Sequence, residues 1–190
     1  HSQGIISLSH VENNMGFSRK FDYKKIKRRC DANKNSNDCY GQFFKDKKFA
    51  YGEGFQVIEE IYFNHKEAVS YLKVPKAFCE SFTDYNLHPI LVDGLFQTAM
   101  VAAYQRTNNT DMYLPFSIGE LNYIKPLTEE CYAYAVIINE HQDENTHIIK
   151  FNLYIADLQG GILLVILNYS IQCTKRDVKL NLVDLGMFLR

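Results

Sequence analysis

The 190-residue chain contains no tryptophan, only four prolines and no pair of cysteines at CxxC spacing. Its five cysteines (Cys30, Cys39, Cys79, Cys131 and Cys173) are odd in number and scattered. Neither a zinc site nor a disulfide framework follows from such spacing, and no metal site is expected. Reduced thiols and a cytoplasmic location are the plain expectation. No apolar run approaches the ~20 residues needed to span a bilayer, so no membrane partner is expected. The start, His1-Ser2-Gln3-Gly4, has no signal-peptide pattern and no initiator Met, which suggests a piece of a longer protein. An excess of charge is also lacking. The 21 Lys and Arg nearly cancel the 22 Asp and Glu, leaving a net charge of -1, which argues against a nucleic-acid binder.

Apolar residues are abundant. They make up 46% of the chain, and 13 Tyr and 13 Phe are among them, enough for a sizeable core. The run Ile5-Ile6-Ser7-Leu8-Ser9 reads as a strand. Residues 12–37 are polar and read as a connector. Its basic residues Arg19, Lys20, Lys24, Lys25, Lys27, Arg28 and Arg29 form either a solvated face or a docking site for an acidic protein. Tyr40, Phe43 and Phe44 share one face of a helix predicted over 39–48, which Gly52 and Gly54 end.

Strands are predicted at 55–63 and 68–74, followed by a loop over 75–86. A long helix then spans about 88–105, with Pro89 in its first turn. Ile90, Leu91, Leu95, Phe96, Ala99, Met100, Ala102 and Ala103 give that helix a broad apolar surface, so it should be buried on most sides. A turn at 108–111 leads to strands at about 117–125, 130–140, 147–157 and 161–172, whose alternation is that of an antiparallel sheet. The fold class that satisfies this order is α+β, a long antiparallel sheet wrapped around a central helix.

Asp93 is the anomaly on that helix. A carboxyl among apolar neighbours is costly unless it is protonated or hydrogen-bonded. Burial raises its pKa and suits it to donate a proton. Gln97 is one turn on, on the same face, and can bond either the carboxyl or a substrate hydroxyl. The structural alternative is that Asp93 only satisfies nearby backbone.

Three ordered segments carry a family resemblance. His88-Pro89-Ile90-Leu91-Val92-Asp93-Gly94-Leu95-Phe96-Gln97 resembles the HPxLxDxxxQ signature of modular polyketide synthase dehydratase domains. Tyr51-Gly52-Glu53-Gly54-Phe55 is similar to the family's YGPxF segment, with Glu53 in place of Pro. Leu114-Pro115-Phe116 looks like its LPF segment, and residues 1–4 resemble the strand closing the family's first subdomain. The resemblance implies a double hotdog fold, in which the first hotdog supplies a catalytic His in an HxxxGxxxxP motif and the second supplies the Asp. None of His1, His10, His65, His88, His141 and His147 has Gly four residues later.

The chain therefore resembles the second hotdog with its linker. The implied division is the end of a preceding hotdog strand and a linker over 1–50, the C-terminal hotdog over 51–175, and a tail over 176–190. The implied reaction is loss of water from a β-hydroxyacyl thioester carried on the phosphopantetheine of an acyl carrier protein, with no cofactor bound directly. Asp93 and Gln97 are the implied catalytic pair. Tyr51, Gly52, His88, Pro89, Leu114, Pro115 and Phe116 are the implied substrate-binding set, although His88 packing at the helix start, Tyr51 as a core tyrosine and the LPF segment as an apolar wall fit as well. The implied partners are the carrier protein, the N-terminal hotdog, neighbouring synthase domains and a second copy. A non-catalytic binding or dimerisation module, a double-bond isomerase and a cyclase remain open alternatives.

Overall fold

The computed structural model describes residue 5 and residues 21–80, 82–107, 112–142 and 146–174. The strand read at 5–9, Arg19 and Lys20, the turn at 108–111 and the tail at 176–190 lie outside the described residues, Ile5 excepted.

The centre of the fold is one helix, α3 (Pro89–Thr107), against an eight-stranded antiparallel sheet. Its strands are β1 (Ala32–Asn35), β2 (Ile58–Phe63), β3 (Glu67–Lys73), β4 (Met112–Ser117), β5 (Glu120–Tyr123), β6 (Glu130–Gln142), β7 (His147–Ala156) and β8 (Ile162–Thr174). They pair in the order β1-β2-β3-β6-β7-β8-β4, with β5 also on β8. The expected hotdog arrangement is the one observed.

Residue size explains how the helix fits. On β6, Cys131, Ala133 and Ala135 are fully buried and alternate with half-buried Tyr132 and Tyr134. Small residues on the helix side of the sheet let α3 approach closely. Gly94 completes the fit: a Cβ there would lie 2.6 Å from Val57 Cγ2 and 3.0 Å from Leu72 Cδ1. Thr98 packs one turn on, donating to the Gly94 carbonyl (2.8 Å) and meeting the Ser70 hydroxyl. Leu91, Leu95, Ala99 and Ala102 fill the interface with Leu72, Phe151, Leu153 and Ile155 in one continuous core.

The tyrosines of the opposite sheet face are covered by the segment before β1. Residues 12–37 were expected to be a plain polar connector, yet they contain α1 (Tyr23–Lys27) and the edge strand β1. Phe21 and Tyr23 stack on Tyr132, at 6.2 and 4.1 Å between ring centres. Arg29 makes a fork of two bonds to Glu67 (2.8 and 2.7 Å), which also accepts from Tyr134 (2.6 Å). Burial alone would raise the Glu67 pKa, but these bonds outweigh it and hold it below the usual carboxylate value. Two cations of the basic run are thus tied to the sheet, Lys27 to Glu60 and Arg29 to Glu67, while Lys24, Lys25 and Arg28 face solvent.

Two further expectations shift. The helix read over 39–48 forms as a wide π-type turn, Asp38–Phe43, running into α2 (Phe44–Asp46). The strand read at 117–125 is shorter, β5 at Glu120–Tyr123, and a further strand, β4, precedes it at Met112–Ser117. The ladder between β4 and β8 slips between Pro115 and Ser117, and Gly119 sits against Asn168, where a Cβ would come within 2.8 Å of the Asn168 Cβ. No helix among the described residues is long and apolar enough to cross a membrane.

Candidate active site

The Asp93 cluster is built at the start of α3. Pro89 opens the helix, and the His88 carbonyl accepts from Leu91 N (3.1 Å) and Val92 N (3.2 Å). Asp93 follows in the second turn, half-buried, and Gln97 is only 1% exposed.

Gln97 has its whole carboxamide engaged. Nε2 donates to Asp93 Oδ2 at 2.7 Å and to the Phe55 carbonyl at 2.9 Å. Oε1 accepts from the Tyr40 hydroxyl at 2.7 Å. The Tyr40 hydroxyl in turn accepts from Ile58 N at 3.0 Å. An amide has two N–H donors, and both are used. Of the two roles open in the sequence, bonding the carboxyl or a substrate hydroxyl, the geometry supplies the first.

Among the described residues Asp93 takes no second hydrogen bond, so Oδ1 is left open. Burial pushes its pKa above the usual aspartate value, and the bond from Gln97 offsets only part of that rise. A carboxyl that keeps its proton longer than usual, with one oxygen clamped and the other open, has the form of a proton donor.

Tyr51 stands close enough for the Asp93 charge to raise its pKa, second to the effect of burial. Its ring packs edge-on against Phe44 (5.0 Å) and Tyr40 (6.0 Å), and its hydroxyl makes no hydrogen bond among the described residues. Gly52 has ordinary extended backbone and open space around its α-carbon, so no steric reason requires a glycine there. His88 is 2% exposed and stacks on Phe82 at 4.9 Å, with Tyr85 edge-on. Its Nδ1 has no partner among the described residues, and burial lowers its pKa. It packs at the helix start.

Leu114, Pro115 and Phe116 lie elsewhere, on β4 at the end of the strand order. Leu114 is half-buried, Pro115 is exposed, and Phe116 is 61% exposed. The apolar wall expected of this segment is therefore a solvent-facing edge. Proline suits it, because an edge strand can do without one N–H.

A cavity of about 270 Å³ lies beside the cluster, lined by Ser36, Asn37, Tyr40, Lys45, Tyr51 and Gln56 among others. It shares Tyr40 and Tyr51 with the Asp93 group, but neither Asp93 nor Gln97 lines it. Among the described residues no set of three His, Cys, Asp or Glu side chains is placed to hold a metal.

Two contributors escaped the sequence reading. Tyr40 was legible only as part of an apolar face; its hydroxyl role depends on the π-type turn that carries it. Tyr169, on β8, lies near enough to Asp93 to feel its charge. It has no distinguishing sequence signal beyond being one of several tyrosines on alternating strands.

Known proteins share this architecture. The crystal structure of the dehydratase domain from the CurK module of curacin polyketide synthase is 26% identical, with a TM-score of 0.69; the match covers 85% of this chain and 54% of that one. A dehydratase domain of a trans-AT polyketide synthase from Brevibacillus brevis gives a TM-score of 0.72 at 21% identity, covering 83% of this chain and 54% of the other. Polyketide synthase PksN of Bacillus subtilis (strain 168) is 25% identical over 187 residues, 94% of this chain but 3% of its own length. The chain thus spans about half of the solved dehydratase domains it matches and a small part of the multidomain synthase. The family model described as the polyketide synthase dehydratase N-terminal domain matches residues 18–181. With that match over most of its length, the chain belongs to the polyketide synthase dehydratase family.

Proposed function

We propose that this chain is the aspartate-bearing, C-terminal hotdog of a dehydratase domain, and that Asp93 is the acid that protonates the leaving hydroxyl of a β-hydroxyacyl thioester. The observation that carries this reading is the half-satisfied carboxyl: Oδ2 is held by Gln97, Oδ1 is open, and burial keeps the group protonated above the usual range. The matching family model is described as an N-terminal domain. The assignment to the C-terminal half rests instead on Asp93 and Gln97 standing on the hotdog helix and on the lack of any HxxxGxxxxP motif in these 190 residues.

The reaction divides between two groups. A histidine from the other hotdog takes the α-proton. The electrons of that C–H bond form the new double bond, the C–O bond breaks, and Asp93 gives its proton to the departing oxygen, so that water leaves. Gln97 is a positioning residue: with both N–H groups engaged it fixes which Asp93 oxygen faces the substrate. Two variants of the CurK dehydratase, one with aspartate changed to asparagine and one with histidine changed to phenylalanine, are described as inactive, as a two-residue mechanism requires of that protein.

The partners that follow are the His-bearing hotdog and an acyl carrier protein presenting the substrate on phosphopantetheine, with no cofactor held by this chain. Dehydration of a β-hydroxyacyl pantetheine thioester tests the reading. The 190 residues alone should show no turnover, and the same chain joined to a His-bearing first hotdog should form the enoyl product. Robust turnover by the isolated chain would contradict the division of acid and base between halves.

A further inference from the structure

The neighbourhood of Asp93 holds one buried polar atom to which the mechanism above gives no role. Tyr169 is 1% exposed, and its hydroxyl is buried with no hydrogen-bond partner among the described residues. Buried phenols usually find a partner, because losing water without replacement is costly.

Packing fixes where this hydroxyl stays. The Tyr169 ring lies nearly parallel to Phe96, 4.7 Å between centres and 10° between planes, and leans on Phe151 at 6.3 Å. Phe96 is three residues beyond Asp93, so the two share a face of α3. Packed against an aromatic ring of α3 and another of β7, Tyr169 has little freedom to turn away. Burial raises its pKa most, followed by the charges of Asp93 and Tyr51. Tyr169 on β8 thus packs beside the face of α3 that carries Asp93, near enough for the charges of Asp93 and Tyr51 to act on its phenol. Among the described residues the one hydrogen-bond donor that reaches Asp93 is Gln97, at Oδ2.

We propose that Tyr169 is a positioning residue for Asp93, whose hydroxyl stands without a partner until Asp93 has given up its proton and then donates to the carboxylate at Oδ1. The inference rests on Asp93 being the acid. Before the step, the carboxyl is neutral and a weak acceptor, so a phenol donor gains little from it. After the step, the proton is on the departing oxygen and the negative charge remains on Asp93, opposite Gln97 and Tyr169. Tyr169 keeps its own proton throughout. Its contribution is a hydrogen bond that exists only with the ionised carboxyl, the kind of interaction that eases proton release.

Carbon-13 NMR titration of the Asp93 carboxyl in the full chain tests this, with the signal assigned by its loss in Asp93→Asn. The wild-type midpoint should lie above the ordinary aspartate value of about 3.9. Tyr169→Phe should raise it further, by about one pH unit, since hydrogen bonds to charged groups are the stronger kind. A phenol that only fills space would leave the midpoint where it was, and that result in a folded variant overturns the proposal. A wild-type midpoint at or below the ordinary value overturns the acid reading and this inference together. Should Tyr169→Phe fail to fold, the Tyr169 Cζ resonance of the wild-type chain serves instead. It should shift with the Asp93 midpoint, and a flat Cζ signal across that range counts against the proposal.

Discussion

Helix α3 carries a carboxylate cluster at each end, and the two are built oppositely. Near its start, Asp93 has one donor among the described residues, Gln97, and one open oxygen. Near its end, Arg106 donates to Glu140 Oε2 (2.8 Å), while Glu140 Oε1 lies 2.8 Å from His147 Nε2 and His147 Nδ1 lies 2.6 Å from the Tyr113 hydroxyl. With Nε2 donating to Glu140 and Nδ1 accepting from Tyr113, both Glu140 oxygens and both ring nitrogens of His147 are matched. Burial pushes both carboxyls toward neutrality. At Glu140 the bonds from Arg106 and His147 outweigh burial and hold the pKa below its ordinary value; at Asp93 burial wins. The number of donors, more than burial, decides the sign. A saturated cluster fastens the β6–β7 hairpin to the helix. An unsaturated one keeps a proton and an oxygen available.

The largest expected effect breaks the comparison outright if it fails. In a protein that joins this chain to a His-bearing hotdog, Asp93→Asn should cut dehydration by about a thousandfold or more, because removing one member of an acid–base pair loses most of the rate. Asparagine can still accept from Gln97, so the fold should survive. Steady-state turnover decides it; activity near wild type would make the Asp93 cluster as structural as the Glu140 one.

Gln97→Leu should act on both activity and stability. It strips the donor from Asp93 and from the Phe55 carbonyl and removes the acceptor of Tyr40. Leaving such buried groups unpaired costs about 1–3 kcal/mol. Urea unfolding should show that loss, alongside reduced turnover. At the other end of the helix, Glu140→Gln should cost about 1 kcal/mol, because its partners are partly exposed, and should leave turnover unchanged.

How legible the two clusters were differs as well. The helix was readable because Pro89 marks its start and its apolar residues surround it. Asp93 and Gln97 were readable because polar groups one turn apart on such a helix need a reason. The rest depended on tertiary placement. β1 carries Asn33, Lys34 and Asn35, poor strand formers that hold their conformation by pairing with β2. Phe116 is apolar, but letters alone do not say which side of an edge strand meets solvent. Tyr40 reaches Gln97 across 57 residues of sequence, and Tyr113 meets His147 across 34. No local pattern encodes hydrogen bonds between residues so far apart, and the whole Glu140 cluster consequently escaped notice.

The smallest effect, on stability against pH, sharpens the comparison most because the two ends carry opposite signs. Glu140 has a lowered folded pKa. Its contribution is therefore complete above the unfolded value of about 4.3 and disappears as pH falls through the folded value. Asp93 has a raised folded pKa. Above that value the folded chain holds an ionised carboxyl in a site that disfavours it, and the cost is relieved as pH falls toward about 3.9. At pH 7, Asp93→Asn should raise the melting temperature by a degree or more, as about 0.5–1 kcal/mol would do in a chain of this size, whereas Glu140→Gln should lower it. Thermal unfolding from pH 8 to pH 3 should show both differences shrinking as the carboxyls protonate, the Asp93 effect fading first and the Glu140 effect only below about pH 4. A melting temperature for Asp93→Asn equal to or below wild type at pH 7 would show that the open carboxyl is not under strain, and the contrast between the two ends of the helix would then be one of partners alone.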